Sequence, residues 1–113
     1  MKQGEIWDIN PGTNQATASG KRCPVIIIND DSIDIIPTRV IVPLTEWDDK
    51  FEDAIWLVRV EPNDENNLGR ISAVDALQLH TIPTARFIKK IGMLSALELQ
   101  QVKDAVKAII SAE

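Results

Sequence analysis

Residues 24–28 read Pro-Val-Ile-Ile-Ile, an unbroken β-branched run. Such a run, closed by the turn residues Asn29-Asp30-Asp31-Ser32, is a strand buried on both faces. It demands a sheet, and the flanking sequence supplies further strands. Gly4 to Ile9 alternates, with Ile6 and Asp8 on one side and Glu5, Trp7 and Ile9 on the other, until Asn10-Pro11-Gly12 breaks it. Residues 13–21 are small and polar, a long loop. Strands are expected at Thr38–Leu44, Ala54–Val60, Ile71–Leu79 and, short and last, Phe87–Ile91, with one helical turn begun by Pro83. Trp47–Asp53 is a charged loop. Only the C-terminus reads as a helix. Ser95 and Glu98 form a capping box, Leu94 and Leu99 a hydrophobic staple, and Leu99, Val102, Val106, Ile109 and Ile110 a stripe at helical spacing. Strands without β-α alternation, closed by one helix, predict an α+β chain dominated by a small curled or barrel-like antiparallel sheet.

The length of 113 residues suits a single domain over residues 1–113. Seventeen acidic residues against twelve basic ones give a net charge of −5. That field opposes bulk attraction to nucleic acid or anionic membrane but leaves room for a focused basic site. No apolar run approaches a membrane span and no leader pattern opens the chain, so a cytoplasmic protein with no membrane partner is expected. The lone Cys23 excludes an internal disulfide and a multi-cysteine zinc site.

No residue set predicts a metal or cofactor. Asp30, Asp31 and Asp34 lack the spacing of a calcium loop and read as turn caps. His80 is the only histidine. Cys23 enters a buried strand, where packing explains it better than nucleophilic chemistry. Lys21 and Arg22 stand just before that strand, and Thr45 stands where the next one exits. Antiparallel pairing sets the start of one strand beside the end of the other. Arg22 and Thr45 therefore reach one edge of the sheet. A guanidinium fork and a hydroxyl there make a phosphate site, or else an exposed arginine and an ordinary strand-end threonine.

The same residues carry a resemblance to the MazF/PemK-type toxins of bacterial toxin–antitoxin modules. Gly4-Glu5-Ile6-Trp7 with Asn10-Pro11 resembles their opening strand and turn. Pro24 to Asp31 resembles their R-P-V-[VIL]-I-x-N-D segment, and Val40 to Thr45 their strand ending in V-P-[LIV]-T. Asp75 to Thr81 resembles a D-x-x-x-[RK]-[TS] stretch, and Ile91 to Ser95 the G-x-[LV]-[ST] approach to the last helix. The five segments occur in order over nearly the whole chain. The resemblance implies a small SH3-like antiparallel β-barrel with a C-terminal α-helix, usually a homodimer. It implies a metal-independent endoribonuclease that cuts single-stranded RNA by attack of the ribose 2′-OH on the adjacent phosphate. A cognate antitoxin would silence it. The site would rest on Thr45 and on the arginine before the Pro-Val strand, here Arg22 with Lys21 beside it.

Position 23 departs from that pattern. The family places arginine directly before the proline, where this chain has Cys23, and Arg22 lies one residue earlier. One residue turns a strand side chain to the opposite face unless a bulge restores it. Residues 14–18 also lack the family's glutamate, Ala73 stands where some members carry a basic residue, and His80 stands where many carry arginine. Asp75 and His80 are secondary candidates for RNA contact or proton transfer. Histidine suits the latter with a reference pKa of about 6.5, though a surface or dimer contact is the plainer reading. Arg86, Lys89 and Lys90 form a basic run that could touch phosphates or simply face solvent. Trp47 is the expected platform for a splayed base, with Trp7 and Trp56 in the core or a dimer contact. Two alternatives stand beside the nuclease. One is a silent member of the scaffold that binds RNA or antitoxin without cutting. The other is a gyrase-poisoning toxin of the CcdB type, whose C-terminal Trp-Gly-Ile is missing here.

Overall fold

The computed structural model describes residues 1–10, 23–33 and 35–111. Among the described residues seven strands form one antiparallel sheet: β1 (Glu5–Ile9), β2 (Pro24–Ile27), β3 (Thr38–Glu46), β4 (Leu57–Val60), β5 (Ser72–Asp75), β6 (His80–Pro83) and β7 (Phe87–Met93). The helix α1 follows at Ala96–Ile110. The ladder runs β4-β5-β3-β2-β1-β7, and β6 pairs with β3. Ile41 pairs with both β2 and β6, so those two lie on opposite edges of β3. β5 and β6 therefore follow one another along a single edge.

The α+β class is as expected, but the sheet is not a closed barrel. Its end strands β4 and β7 do not pair among the described residues. The segment after β4 bridges them instead. Met93 N–H donates to Glu65 O (3.1 Å), and Asn67 Nδ2 donates to Ile91 O (2.8 Å). Buried Asn66 holds this segment in shape, accepting from the Asn63 and Leu68 amides (3.0 Å each) and donating to Glu61 O (2.9 Å).

Alternation in each strand splits the apolar residues between two faces. Ile6, Ile26, Val42, Val58, Val60 and Val74 line the inside of the curl with Val102 and Ala105 of α1. Ile9, Val25, Ile27, Ile41 and Ile82 form a second core on the other face, against Trp7, Cys23 and Phe87. Val25, Ile26 and Ile27 are thus buried on both faces of β2, as the β-branched run requires. Each such side chain contributes about 1.5–3 kcal/mol by leaving water. The Ser95 capping box is present, with Ser95 N donating to Glu98 Oε1 (2.9 Å) and Glu98 N to Ser95 Oγ (3.1 Å). Ala105, outside the predicted stripe, is buried, whereas Ile110 is exposed.

Two expected strands are shorter. Residues 54–56 are withheld from β4 by turn bonds, Ala54 N to Phe51 O (2.9 Å) and Leu57 N to Ala54 O (3.2 Å). The expected Ile71–Leu79 strand ends at Asp75, whose carboxylate accepts from Leu77 N (3.1 Å) and starts a 3-10 turn over Ala76–Gln78. Alternation breaks there, and Leu77 and Leu79 face solvent. β3 runs to Glu46, so Thr45 lies within a strand rather than beyond its end.

Glu5 is a buried charge that the fold holds ionised. Burial alone pushes its carboxyl up from the ordinary 4.5. Hydrogen bonds from Trp7 Nε1 and Lys2 N, with the Lys90 ammonium, outweigh that and hold it lower. A depressed native pKa contributes stability above the unfolded value and loses it as pH falls through the native one. Glu5→Gln should therefore cost about 1–3 kcal/mol at pH 7. Thermal melts should show the gap closing below pH 4.5; a gap of equal size at pH 3 would contradict this account.

Candidate functional site

Register places Thr45 in a row that crosses the sheet. Thr45 pairs with Ala73 of β5, and Ala73 pairs with Arg59 of β4. On the other side Val25 pairs with Pro43. Continued by two residues, that register sets Cys23 opposite Thr45. Ile9 N donates to Cys23 O (3.1 Å), Ile9 pairs with Phe87, and Asn10 N donates to Arg86 O (2.8 Å). The row therefore reads Phe87, Ile9, Cys23, Thr45, Ala73, Arg59, with neighbours about 4.8 Å apart. Phe87, Ile9 and Cys23 belong to the outer core, while Thr45 and Arg59 are exposed. Position 23 is thus Thr45's direct neighbour, and there the chain carries a thiol. Burial pushes the Cys23 thiol up, with Asp8 adding to the rise and Arg86 opposing it. A thiol kept protonated is a poor nucleophile.

Lys21 and Arg22 lie outside the described residues. Arg86, whose charge acts on Cys23, is anchored by Nε donating to Asn10 O (2.7 Å). Its basic run does not act as a unit, because Lys90 turns to Glu5 (3.1 Å). His80 is exposed on β6, and its Nδ1 lies 2.7 Å from Gln78 O. A carbonyl only accepts, so Nδ1 is the donor in this contact, and in the neutral ring Nε2 is then the acceptor. His80 pairs with Ile41, four residues from Thr45 along β3, or about 13 Å. The structure does not bring these two together.

Asp75 does join Thr45. It lies two residues beyond Thr45's partner Ala73, on the same face, a diagonal separation of about 7–8 Å. Both line a cleft of about 480 Å³ with Lys50, Phe51, Asp53 and Trp56. A second cleft of about 580 Å³ opens on the other side of Thr45, lined by Pro24, Leu44, Arg70 and Ser72 among others. Arg70 there pairs with Glu46 (3.0 Å). Thr45 is the ridge between the two.

The three tryptophans sit in different surroundings. Trp47 is half-buried and engaged. Phe51 meets it edge-on (5.8 Å), Arg59 lies over its ring (5.8 Å), and its Nε1 donates to Asp49 (3.2 Å). Trp56 is not a core residue; it is 37% exposed and borders the cleft. Trp7 is partly buried against Phe87, as expected. Arg59 and Trp56 are the site residues that sequence reasoning missed. Arg59 is exposed between buried Val58 and Val60, and only pairing through Ala73 aligns it with Thr45. Asp30 is a turn cap, accepting from Ser32 N (2.8 Å), whereas Asp31 accepts from the distant Gln3 N (2.7 Å) and ties the chain's start to this turn; Asp34 lies outside the described residues. Among the described residues no group of three or more His, Cys, Asp or Glu could hold a metal. No helix there is long and apolar enough to cross a membrane.

Fold and row together define a class: a small curled antiparallel sheet with a C-terminal helix, presenting a strand-borne threonine between two clefts. A family model described as the PemK-like, MazF-like toxin of type II toxin–antitoxin systems matches residues 2–110. The chain belongs to that family. Among curated relatives, a probable endoribonuclease MazF of Mycolicibacterium smegmatis is 24% identical over 106 residues, spanning 94% of this chain and 93% of that protein. Endoribonuclease MazF9 of Mycobacterium tuberculosis is 26% identical over 113 residues, spanning 95% and 93%. Of solved structures, a mycobacterial endoribonuclease in complex with its cognate antitoxin superposes with a TM-score of 0.79 at 15% identity, over 100% of this chain and 97% of that one. MazF of Deinococcus radiodurans gives 0.72 at 15% identity, over 97% and 96%. At these identities the structural likeness establishes the fold.

Proposed function

We propose that this chain is a cytoplasmic endoribonuclease toxin that cuts single-stranded RNA without a metal and is silenced by a cognate antitoxin. The observation that carries the reading is Thr45. The family's V-P-x-T threonine stands exposed between two clefts, with position 23 as its direct neighbour. The attacking nucleophile is the substrate's own 2′-OH, so no metal-bound water has to be generated. Its oxygen attacks the adjacent phosphorus, the bond to O5′ breaks, and the products are a cyclic 2′,3′-phosphate and a free 5′-OH. The 2′-OH proton must leave, and a proton must reach O5′. Thr45 Oγ donates to a non-bridging phosphate oxygen. Arg22 supplies charge to the crowded phosphorane and takes part in proton transfer, with Lys21 adding positive charge nearby. Arg86, at the Cys23 end of the row, binds a neighbouring phosphate. His80, on β6, contacts RNA farther along the sheet. An antitoxin, such as the one bound in the mycobacterial relative, would cover this face of a homodimer.

A chimeric oligonucleotide tests the reaction. A single 2′-deoxy residue 5′ to the cut phosphate should abolish cleavage at that bond and leave other sites cut. Cleavage through the deoxy position would exclude 2′-OH attack. Cys23 favours one second reading, a member that binds RNA without cutting. Under it the parent leaves RNA intact and Cys23→Arg gains cleavage.

A further inference from the structure

We propose that the cleft beside Thr45 is a nucleobase pocket for guanine, which stacks on Trp56 and is read by the Asp75 carboxylate. The inference rests on the reading of this face as an RNA site and deepens it. The cleft, about 480 Å³, is of the size that holds small ligands, about 300–1,000 Å³. Trp56 and Phe51 give it aromatic walls, on which an unpaired base stacks.

The polar wall narrows the choice. Asp75 and Asp53 present carboxylates, which only accept hydrogen bonds. Asp75 is held in place because Oδ1 accepts from Leu77 N (3.1 Å). Its Oδ2 has no hydrogen bond among the described residues, and Oδ1 keeps a second lone pair. Lys50, also on the cleft, pairs with Asp48 (3.9 Å), lies over Phe51 (6.0 Å) and makes no ion pair with Asp75 or Asp53 among the described residues. The occupant must therefore offer adjacent donors. Guanine alone among the RNA bases presents two side by side, N1–H and N2–H, matched to the two oxygens of a carboxylate. Adenine and cytosine set an acceptor beside their donor, and uracil flanks its one donor with two acceptors. In single-stranded RNA this edge is open. Thr45 forms part of the same wall, so whatever enters is attached to the group resting on the Thr45 hydroxyl. A base next to the bound phosphate meets that condition.

Binding of short, fully 2′-O-methylated oligonucleotides, which cannot be cut, tests the pocket apart from the reaction. The readout is the part of the tryptophan fluorescence quench that Trp56→Phe removes. An oligonucleotide with a single guanine should bind about ten-fold or more tighter than its adenine, cytosine or uracil counterparts. Inosine, which lacks the N2 amino group, should fall between. Asp75→Asn keeps an oxygen for Leu77 N and should erase the preference. Equal binding of all four bases, or a preference that survives Asp75→Asn, would overturn the proposal. So would a Trp56 quench produced by an arginine-rich peptide and by no oligonucleotide. Guanine preference without cleavage of natural RNA would overturn the catalytic reading alone; cleavage without guanine preference would overturn the pocket alone.

Discussion

Thr45→Ala is expected to slow RNA cleavage by about a hundred-fold to a thousand-fold while the protein melts as before. The magnitude is that of removing one hydrogen-bond donor aimed at charge developing in a transition state. Thr45 is exposed, so its loss leaves no cavity and no buried partner unsatisfied. Stability should change by no more than about 0.5 kcal/mol. Thr45→Val separates hydroxyl from shape. It keeps the β-branch and should be as slow as the alanine variant. Single-turnover cleavage measured beside thermal melts checks both. A valine variant that cuts like the parent would remove the hydroxyl from the mechanism.

Gly92→Ala is expected to have the largest effect on the fold. β7 passes so close to the bridging segment that a Cβ at Gly92 would stand 2.4 Å from Glu65 O and 2.7 Å from Asn66 C and O. These are backbone atoms, fixed by the Met93–Glu65 bond and the buried Asn66 amide, and they cannot rotate aside. Relieving the clash means separating β7 from the segment that joins the ends of the sheet. Overpacking of this kind costs about 3 kcal/mol. For a domain of this size the melting temperature should fall by more than about 10 °C. Gly69→Ala is the control, since a Cβ there meets nothing within 4 Å. Equal melting of the two variants would contradict the close approach.

The contrast between these glycines shows what the sequence could and could not reveal. Gly92 belongs to a segment that the family resemblance marks, but nothing in its neighbours announces a carbonyl from residue 65. The same limit explains the sheet. The β-branched run at 24–28 and the Ser95 capping box are local signals, and each forms the element it predicts. Closure depends on whether β4 meets β7, a contact between distant residues, and the structure puts a loop there instead. The Asp75 turn was hidden for a different reason. Its alternating neighbours fit a strand, and one side-chain cap on Leu77 N outcompetes that pattern.

Legibility of the site divides along similar lines. Thr45 could be found because strand chemistry and motif agree on it. Its distance from His80 could not, because β3 carries both Thr45 and His80's partner Ile41, and only register separates them. Trp47 and Trp56 were ranked by their neighbours in sequence. Arg59 stands nearer Trp56 than Trp47 in sequence, yet its guanidinium lies over Trp47, and Phe51 meets Trp47 edge-on, while Trp56 borders the cleft.

The central claim is that this face cuts RNA with the substrate's own hydroxyl and no metal. Its most direct test is incubation of purified, antitoxin-free protein with a long single-stranded RNA in excess EDTA, followed by mapping of the fragment ends. The account predicts discrete fragments with 5′-OH termini and cyclic phosphates on the other side. RNA left intact by protein shown to be folded, or cleavage that returns only on adding a divalent metal, would contradict it.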